Sequence, residues 1–196
     1  MDPRVRRAFR IFDVYAHAVV RKARREGYSV PCGHGCDACC RDVAWITRPE
    51  SRELAERVAS MPTARRERVL AGVRAWLEGM AAAGLPPEDP HPNVSAYARA
   101  GLVCPLLDVE RRECMAYSVR PLSCRAHYVI APDASGCANR AEVPTVTSID
   151  LEDQCSESAL SMTTGDIFTL RRQLSPRLLV VGLIEALRER GLWGDA

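Results

Sequence analysis

Cys32, Cys36, Cys39 and Cys40 put four thiols within nine residues, with Gly33 and Gly35 between the first two. Sulfur at that density is a ligand set rather than core filling. A thiolate is a soft donor that holds zinc or iron, and a short loop carrying several lowers the entropy of assembling a site. Glycine lets such a loop curl until its sulfurs face inward, with backbone amides free to donate to them. A second block follows at Cys104, Cys114 and Cys124, each separated by nine residues, and then Cys137. Alone these would be ambiguous, because free cysteine is among the most buried residue types. A first block that needs partners makes them ligands as well. Cys137 lies between these cases on spacing, and the isolated Cys155 reads as core. Cys40 is a separate problem: neighbouring side chains diverge, so either Cys40 reaches a second metal or one of the Cys39–Cys40 pair packs in the interior.

Other residue types near the thiols suit the same chemistry. The imidazoles of His34 and His127 could each complete a coordination sphere. His127, three residues past Cys124, is the better placed, although eight thiols make neither necessary. Pro121 stiffens the approach to Cys124, and Arg120 or Arg125 could offset the charge of a multi-thiolate centre. The plain alternative is a pair of surface arginines matched to Asp or Glu. Tyr117 is expected to pack beside the site with its hydroxyl bonded nearby.

Cys-x3-Cys-x2-Cys-Cys, then Cys104-Pro-Leu-Leu, Cys114-x2-Tyr117-x2-Arg120-Pro121-x2-Cys124-Arg125 and Cys137-x2-Arg140, resembles the YkgJ family of cysteine-cluster proteins, a zinc- or iron-chelating domain. The resemblance spans roughly residues 30–140. It places Cys32, Cys36, Cys39, Cys40, Cys104, Cys114, Cys124 and Cys137 at the family's cysteine positions and leaves Cys155 outside them. It implies metal chelation, and more weakly an iron–sulfur cluster. A related pattern in flagellin lysine methylases implies methyl transfer to a protein as an alternative. The Cys-x3-Cys-x2-Cys spacing is also that of radical S-adenosylmethionine enzymes, but those need a βα barrel, and few strands are legible here.

Three functions compete. One is a zinc or iron–sulfur centre, such as a 4Fe-4S cluster, with a structural, redox or sensing role. Another is a metal- or cluster-dependent enzyme acting on a protein or peptide. The third is a metal-stabilised module that holds a protein partner. A closed four-ligand site argues for structure and an open position for catalysis, and sequence does not distinguish them. No Ser-His-Asp arrangement, phosphate loop or HExxH helix points to a metal-independent enzyme. A net charge of +2 and the lack of a basic–aromatic array argue against nucleic acid.

The elements that must position these residues are mostly helices. Val5, Ala8, Phe9, Phe12, Ala16, Val19, Val20 and Ala23 recur at helical steps, which predicts an amphipathic helix ending at Gly27. Val43–Ile46 reads as a short strand, and Thr47-Arg-Pro-Glu50 as a capping box opening a helix with Leu54, Val58 and Met61 inward, stopped by Pro62. Thr63 starts another, with Val69, Val73, Trp76, Leu77 and Met80 inward, ending at Gly84. The proline-rich 84–92 is an exposed connector. Leu106–Val109 and Glu113–Tyr117 flank a polar turn and predict a hairpin that brings Cys104 near Cys114. Residues 129–147 read as loop and 149–162 as helix. Ser175-Pro176 is expected to cap a last helix carrying Leu179, Leu183, Ile184 and Leu187 before Gly191.

These readings give a mainly α, single-domain protein with a loop-rich cysteine core and a small β-hairpin. Residues 1–29 form a packed N-terminal helix, 30–140 the metal-binding core with inserted helices, and 141–196 a C-terminal helical segment. A hydrophobic fraction of 47% supports a packed interior without disulfides. No secretory signal and no run near the roughly 20 apolar residues of a membrane span are present. The expectation is a cytoplasmic, reducing location, where thiols serve as ligands rather than disulfides.

Overall fold

The computed structural model describes residues 3–30, 32, 35–41, 43–87, 94–125 and 177–194. Helices dominate: α1 (Pro3–Arg25), α2 (Arg48–Ala59), α3 (Thr63–Ala82), the short α4 (Val94–Arg99), the single turn α5 (Leu122–Arg125) and α6 (Leu179–Glu189). Two small antiparallel pairs complete the frame. Strand β1 (Trp45–Ile46) pairs with β4 (Arg177–Leu178), Trp45 opposite Leu178; β2 (Leu107–Asp108) pairs with β3 (Glu113–Cys114), Leu107 opposite Cys114.

The periodicity seen in the sequence is the periodicity of burial. Leu54 and Val58 of α2, Val69, Val73 and Met80 of α3, and Leu183 and Leu187 of α6 are all fully buried in one cluster with Leu106. Each such side chain contributes roughly 1.5–3 kcal/mol relative to leaving it in water. Helices α2 and α6 make the most extensive helix–helix contact. The helix ends follow from glycine: Gly27, Gly84 and Gly191 take φ of +88°, +66° and +66°. Each turn is closed by the next amide donating back five residues, Tyr28 to Ala23, Leu85 to Met80 and Leu192 to Leu187. Among the described residues no helix is long and apolar enough to cross a membrane.

The expected start of the last helix needs correction. Arg177–Leu178 is extended, and the N-cap is Leu178 rather than Ser175. Pairing with β1 wins over an earlier helical turn, because the Leu179 amide donates to the Ala44 carbonyl at 2.8 Å. Helix α4, where Tyr97 donates its hydroxyl to the Pro86 carbonyl at 2.8 Å, was not anticipated. Most of the proline-rich connector, the 129–147 loop, the 149–162 helix and Ser175-Pro176 lie outside the described residues.

Helix α6 lies so close to β1 that a Cβ at Gly182 would stand 2.6 Å from Cγ2 of the buried Ile46. Gly182→Ala should therefore destabilise the protein by about 1–2 kcal/mol, because overpacking of about 1–3 kcal/mol outweighs the roughly 1 kcal/mol gain in helix propensity. Urea unfolding checks this, with Gly194→Ala as the control, since a Cβ there meets nothing within 4 Å.

Candidate metal centre

The two cysteine blocks meet through their backbones. The Cys104 amide donates to the Cys40 carbonyl at 2.8 Å, and the Cys104 carbonyl accepts the Leu107 amide at 3.0 Å as the chain turns into β2. Register then sets Cys114 opposite Leu107. On the far side, α3 carries Gly72 where a Cβ would come within 3.0 Å of Pro105 Cα, so the helix lets the Cys104–Pro105 backbone lie directly on it.

Cys124 is fixed by its neighbours on both sides. The buried Glu50 accepts the Thr47 amide at 2.9 Å and the Thr47 hydroxyl at 2.6 Å with one oxygen, closing the capping box, and accepts the Leu122 amide at 2.8 Å with the other. Ser123 donates its hydroxyl to the Trp45 carbonyl at 2.6 Å and accepts the Trp45 amide at 3.2 Å. Arg125, buried at 6% exposure, donates through Nη1 to both Asp13 oxygens at 2.7 Å, through Nη2 to the Ser118 carbonyl and through Nε to the Arg120 carbonyl. Its guanidinium also lies 4.1 Å from the centre of the Phe9 ring. These bonds pin the Cys124 turn to α2, to β1 and to α1.

The first loop is gripped at Asp37, between Cys36 and Cys39. One Asp37 oxygen accepts Arg112 Nε at 3.1 Å and Nη2 at 2.8 Å, and the other accepts Arg41 at 3.3 Å. Hydrogen bonding to Arg112 holds the Asp37 carboxyl below the usual carboxylate range. Arg112 sits at the tip of the β2–β3 hairpin with φ +54°, so the hairpin turn reaches across to the cysteine loop.

Among the described residues the structure brings Cys39, Cys40, Cys104, Cys114 and Cys124 within electrostatic reach of one another. Cys36 lies within the field of Arg112, and Cys32 packs on Val20, Ala23 and Val30 at the end of α1. Cys137, His34, His127 and Cys155 lie outside the described residues. Cys39 and Cys40 lie in the 3-10 turn Ala38–Arg41, and Cys39 is the largest influence raising the Cys40 thiol. Tyr117 is 62% exposed rather than packed inside, and its ring lies 4.2 Å beneath the Arg120 guanidinium. Arg125 is spent on Asp13 and two carbonyls, which makes it a clamp rather than a counter-charge. Asp37, Arg112, Ser123 and Asp13 were not singled out from sequence; Asp37, inside the cysteine loop, and Asp13, the one acid of α1, carried local signals.

The thiols are half-buried residues, yet removal of solvent around sulfur is the largest influence on Cys104, Cys114 and Cys124. Desolvation pushes Cys104 up to about 12, against hydrogen bonds from the Leu106 and Leu107 backbone and reinforced by the charges of Cys114 and Cys39. Cys124 and Cys114 are raised for the same first reason, while the Ala116 backbone and Arg120 pull Cys114 back down. Cys40 is raised chiefly by its bond to Cys39, then by desolvation.

A family model described as "Putative zinc- or iron-chelating domain" matches residues 31–156. The chain belongs to this CxxCxxCC family. Here three residues rather than the family name's two separate Cys32 from Cys36. Searches of curated proteins and of solved structures each gave no match. Family membership supports metal binding through cysteine, as the spacing of the thiols implied.

Among the described residues no three His, Cys, Asp or Glu side chains already stand as a closed coordination sphere. The surroundings nevertheless suit thiolates bound to a cation. Backbone donors of Leu106, Leu107 and Ala116 serve the sulfurs of Cys104 and Cys114. Buried Nε of Arg120 has no hydrogen-bond partner, beside a cysteine whose thiolate it favours. Soft donors and N–H groups that favour the thiolate make the residues fit zinc or iron.

Arg125→Lys should lose the fork that joins Asp13 to the Ser118 and Arg120 carbonyls, lowering stability by about 2–3 kcal/mol and reducing metal retained through desalting. Urea unfolding and elemental analysis of the same samples check both effects. Because the thiol pKa values lie above the ordinary 9.0, with Cys104 at about 12, these groups are protonated at neutral pH and a metal must displace their protons. The sign is therefore fixed: apparent affinity rises with pH, by about a hundredfold or more per unit if two or more protons leave. Competition with a chromophoric chelator at two pH values measures it.

Proposed function

We propose that the chain holds an iron–sulfur centre, with zinc as the alternative metal, through Cys39, Cys40, Cys104, Cys114 and Cys124, joined by Cys32, Cys36 and Cys137. The observation that carries this reading is the mutual influence of five crowded, poorly solvated thiols. One zinc ion takes four ligands, so eight cysteines at the family's positions favour a cluster or two metal ions. Cys39 and Cys40 side by side support the same preference. Such a cluster, once bound, supplies one-electron transfer at a potential set by charge, solvent exposure and hydrogen bonds to sulfur. The chain's own part is to orient the thiolates, to exclude water through the packing of Leu106, Met115 and Val119, and to direct the Arg120 and backbone N–H groups at sulfur. The role is redox or sensing.

A second reading, an enzyme acting on a protein or peptide, draws on one feature. An open apolar cleft of about 40 Å³, walled by Val43, Trp76, Tyr97, Leu102 and Leu179, has Cys104 on its wall and Arg41 beside it. A small apolar group entering there would approach the centre from solvent.

Protein purified without oxygen should be brown, with iron and acid-labile sulfide in comparable amounts; a colourless preparation with stoichiometric zinc would replace iron by zinc. Cys36→Ser and Cys124→Ser should each abolish metal retention and leave the domain partly unfolded, whereas Cys155→Ser leaves the metal content unchanged. Equal metal content in all three variants would sink the ligand assignment.

A further inference from the structure

We infer that the outer face of α1 is a docking surface for double-stranded DNA, laid across the major groove. Eight of the chain's 27 basic residues and one of its 25 acidic residues lie in α1, so this helix carries +7 and the rest of the chain −5. The overall +2 averages that segregation away, which is why net charge argued against nucleic acid.

The structure assigns both faces of the helix. Val5, Ala8, Phe9, Phe12 and Ala16 are buried, and Asp13, the one acidic residue of α1, is held by Arg125. On the opposite side Arg6, Arg7, Arg10, Arg21 and Arg25 are exposed, and at 3.6 residues per turn they share an arc of about 100°. None of the five has a carboxylate partner among the described residues.

The charges fall into two groups, Arg6 to Arg10 and Arg21 to Arg25, with the exposed Val14, His17 and Ala18 between them. Arg10 and Arg21 are separated along the axis by about 16 Å. Duplex DNA presents two rails of phosphate on either side of a major groove about 12 Å wide that admits a helix. One arginine group over each rail, with Val14 and His17 toward the groove floor, matches that spacing. Guanidinium forks bind phosphate oxygens in pairs. An anionic membrane is a uniform sheet that favours an unbroken basic face plus an apolar face to insert, and the apolar face of α1 is buried in the protein. An RNA duplex has a major groove too narrow for a helix, and a single strand lacks the second rail.

The test is fluorescence anisotropy with full-length protein and a labelled duplex of about 20 base pairs. Five phosphate contacts give a log–log salt slope of about −4.5, a loss of about 500-fold in affinity between 50 and 200 mM salt. Arg7→Gln with Arg10→Gln, or Arg21→Gln with Arg25→Gln, should each weaken binding at least about tenfold and flatten the slope by about 2. Arg99→Gln with Arg111→Gln, which removes as many exposed charges elsewhere, should leave binding unchanged. Circular dichroism keeps a folding defect from passing as lost binding. No binding at 50 mM salt, equal loss in the control variant, or tighter binding to single strands or to phosphatidylserine–phosphatidylcholine vesicles would overturn the inference.

Discussion

Crowding thiols where water is scarce sets a charge problem, and the described structure reads as a way of holding that problem in place. Cys39, Cys40, Cys104, Cys114 and Cys124 raise one another's pKa values or are raised by loss of solvent. As free thiolates such groups would repel one another, so without a cation they keep their protons. What holds them together is polar and local: a 2.8 Å bond from the Cys104 amide to the Cys40 carbonyl, a hairpin register, and a one-turn helix clamped on three sides.

The apolar core stabilises the fold, and the clamps choose where the sulfurs go. Leu54, Val58, Val69, Leu183 and Leu187 hold the helices together without any polar bond to direct the Cys124 turn. Such packing is largely non-directional. Glu50 removes that freedom because each of its oxygens has a different job, one on the start of α2 and one on the start of α5. Arg125 does the same between the Ser118–Arg120 turn and α1. Asp37 ties the tip of the β2–β3 hairpin to the first cysteine loop through Arg112. Each clamp grips the chain one or two residues from a cysteine, at Leu122, Arg125 and Asp37, so a displaced clamp is a displaced sulfur.

The helices and the hairpin were legible in the sequence because burial repeats. A stripe at 3.6 residues, a glycine stop and a capping box are local signals, and α1, α2, α3 and the Cys104–Cys114 approach followed from them. The family was legible because eight thiols in a fixed order leave few alternatives, and the match over residues 31–156 carries the same meaning. The start of α6 was misread because Ser175-Pro176 is a good local cap, whereas the strand at Arg177–Leu178 is made by Ala44–Ile46, far away in the chain.

The clamps were illegible for a related reason. Hydrophobic periodicity reports which side chains leave water, not which carboxylate meets which guanidinium across a hundred residues. Arg125 had two readings, a counter-charge for the thiolates beside Cys124 or a guanidinium matched to Asp or Glu, and nothing local named the partner. Asp13, its partner at 2.7 Å, lies on a helix whose pattern announces only an apolar face and a basic one. A single acidic residue among eight basic ones, placed where the polar and apolar faces meet, is the signal that could have been used. On a helix so rich in arginine, that carboxylate is costly to shed from the packed boundary unless another guanidinium meets it there. Arg125 is that guanidinium, and meeting it fixes the Cys124 turn.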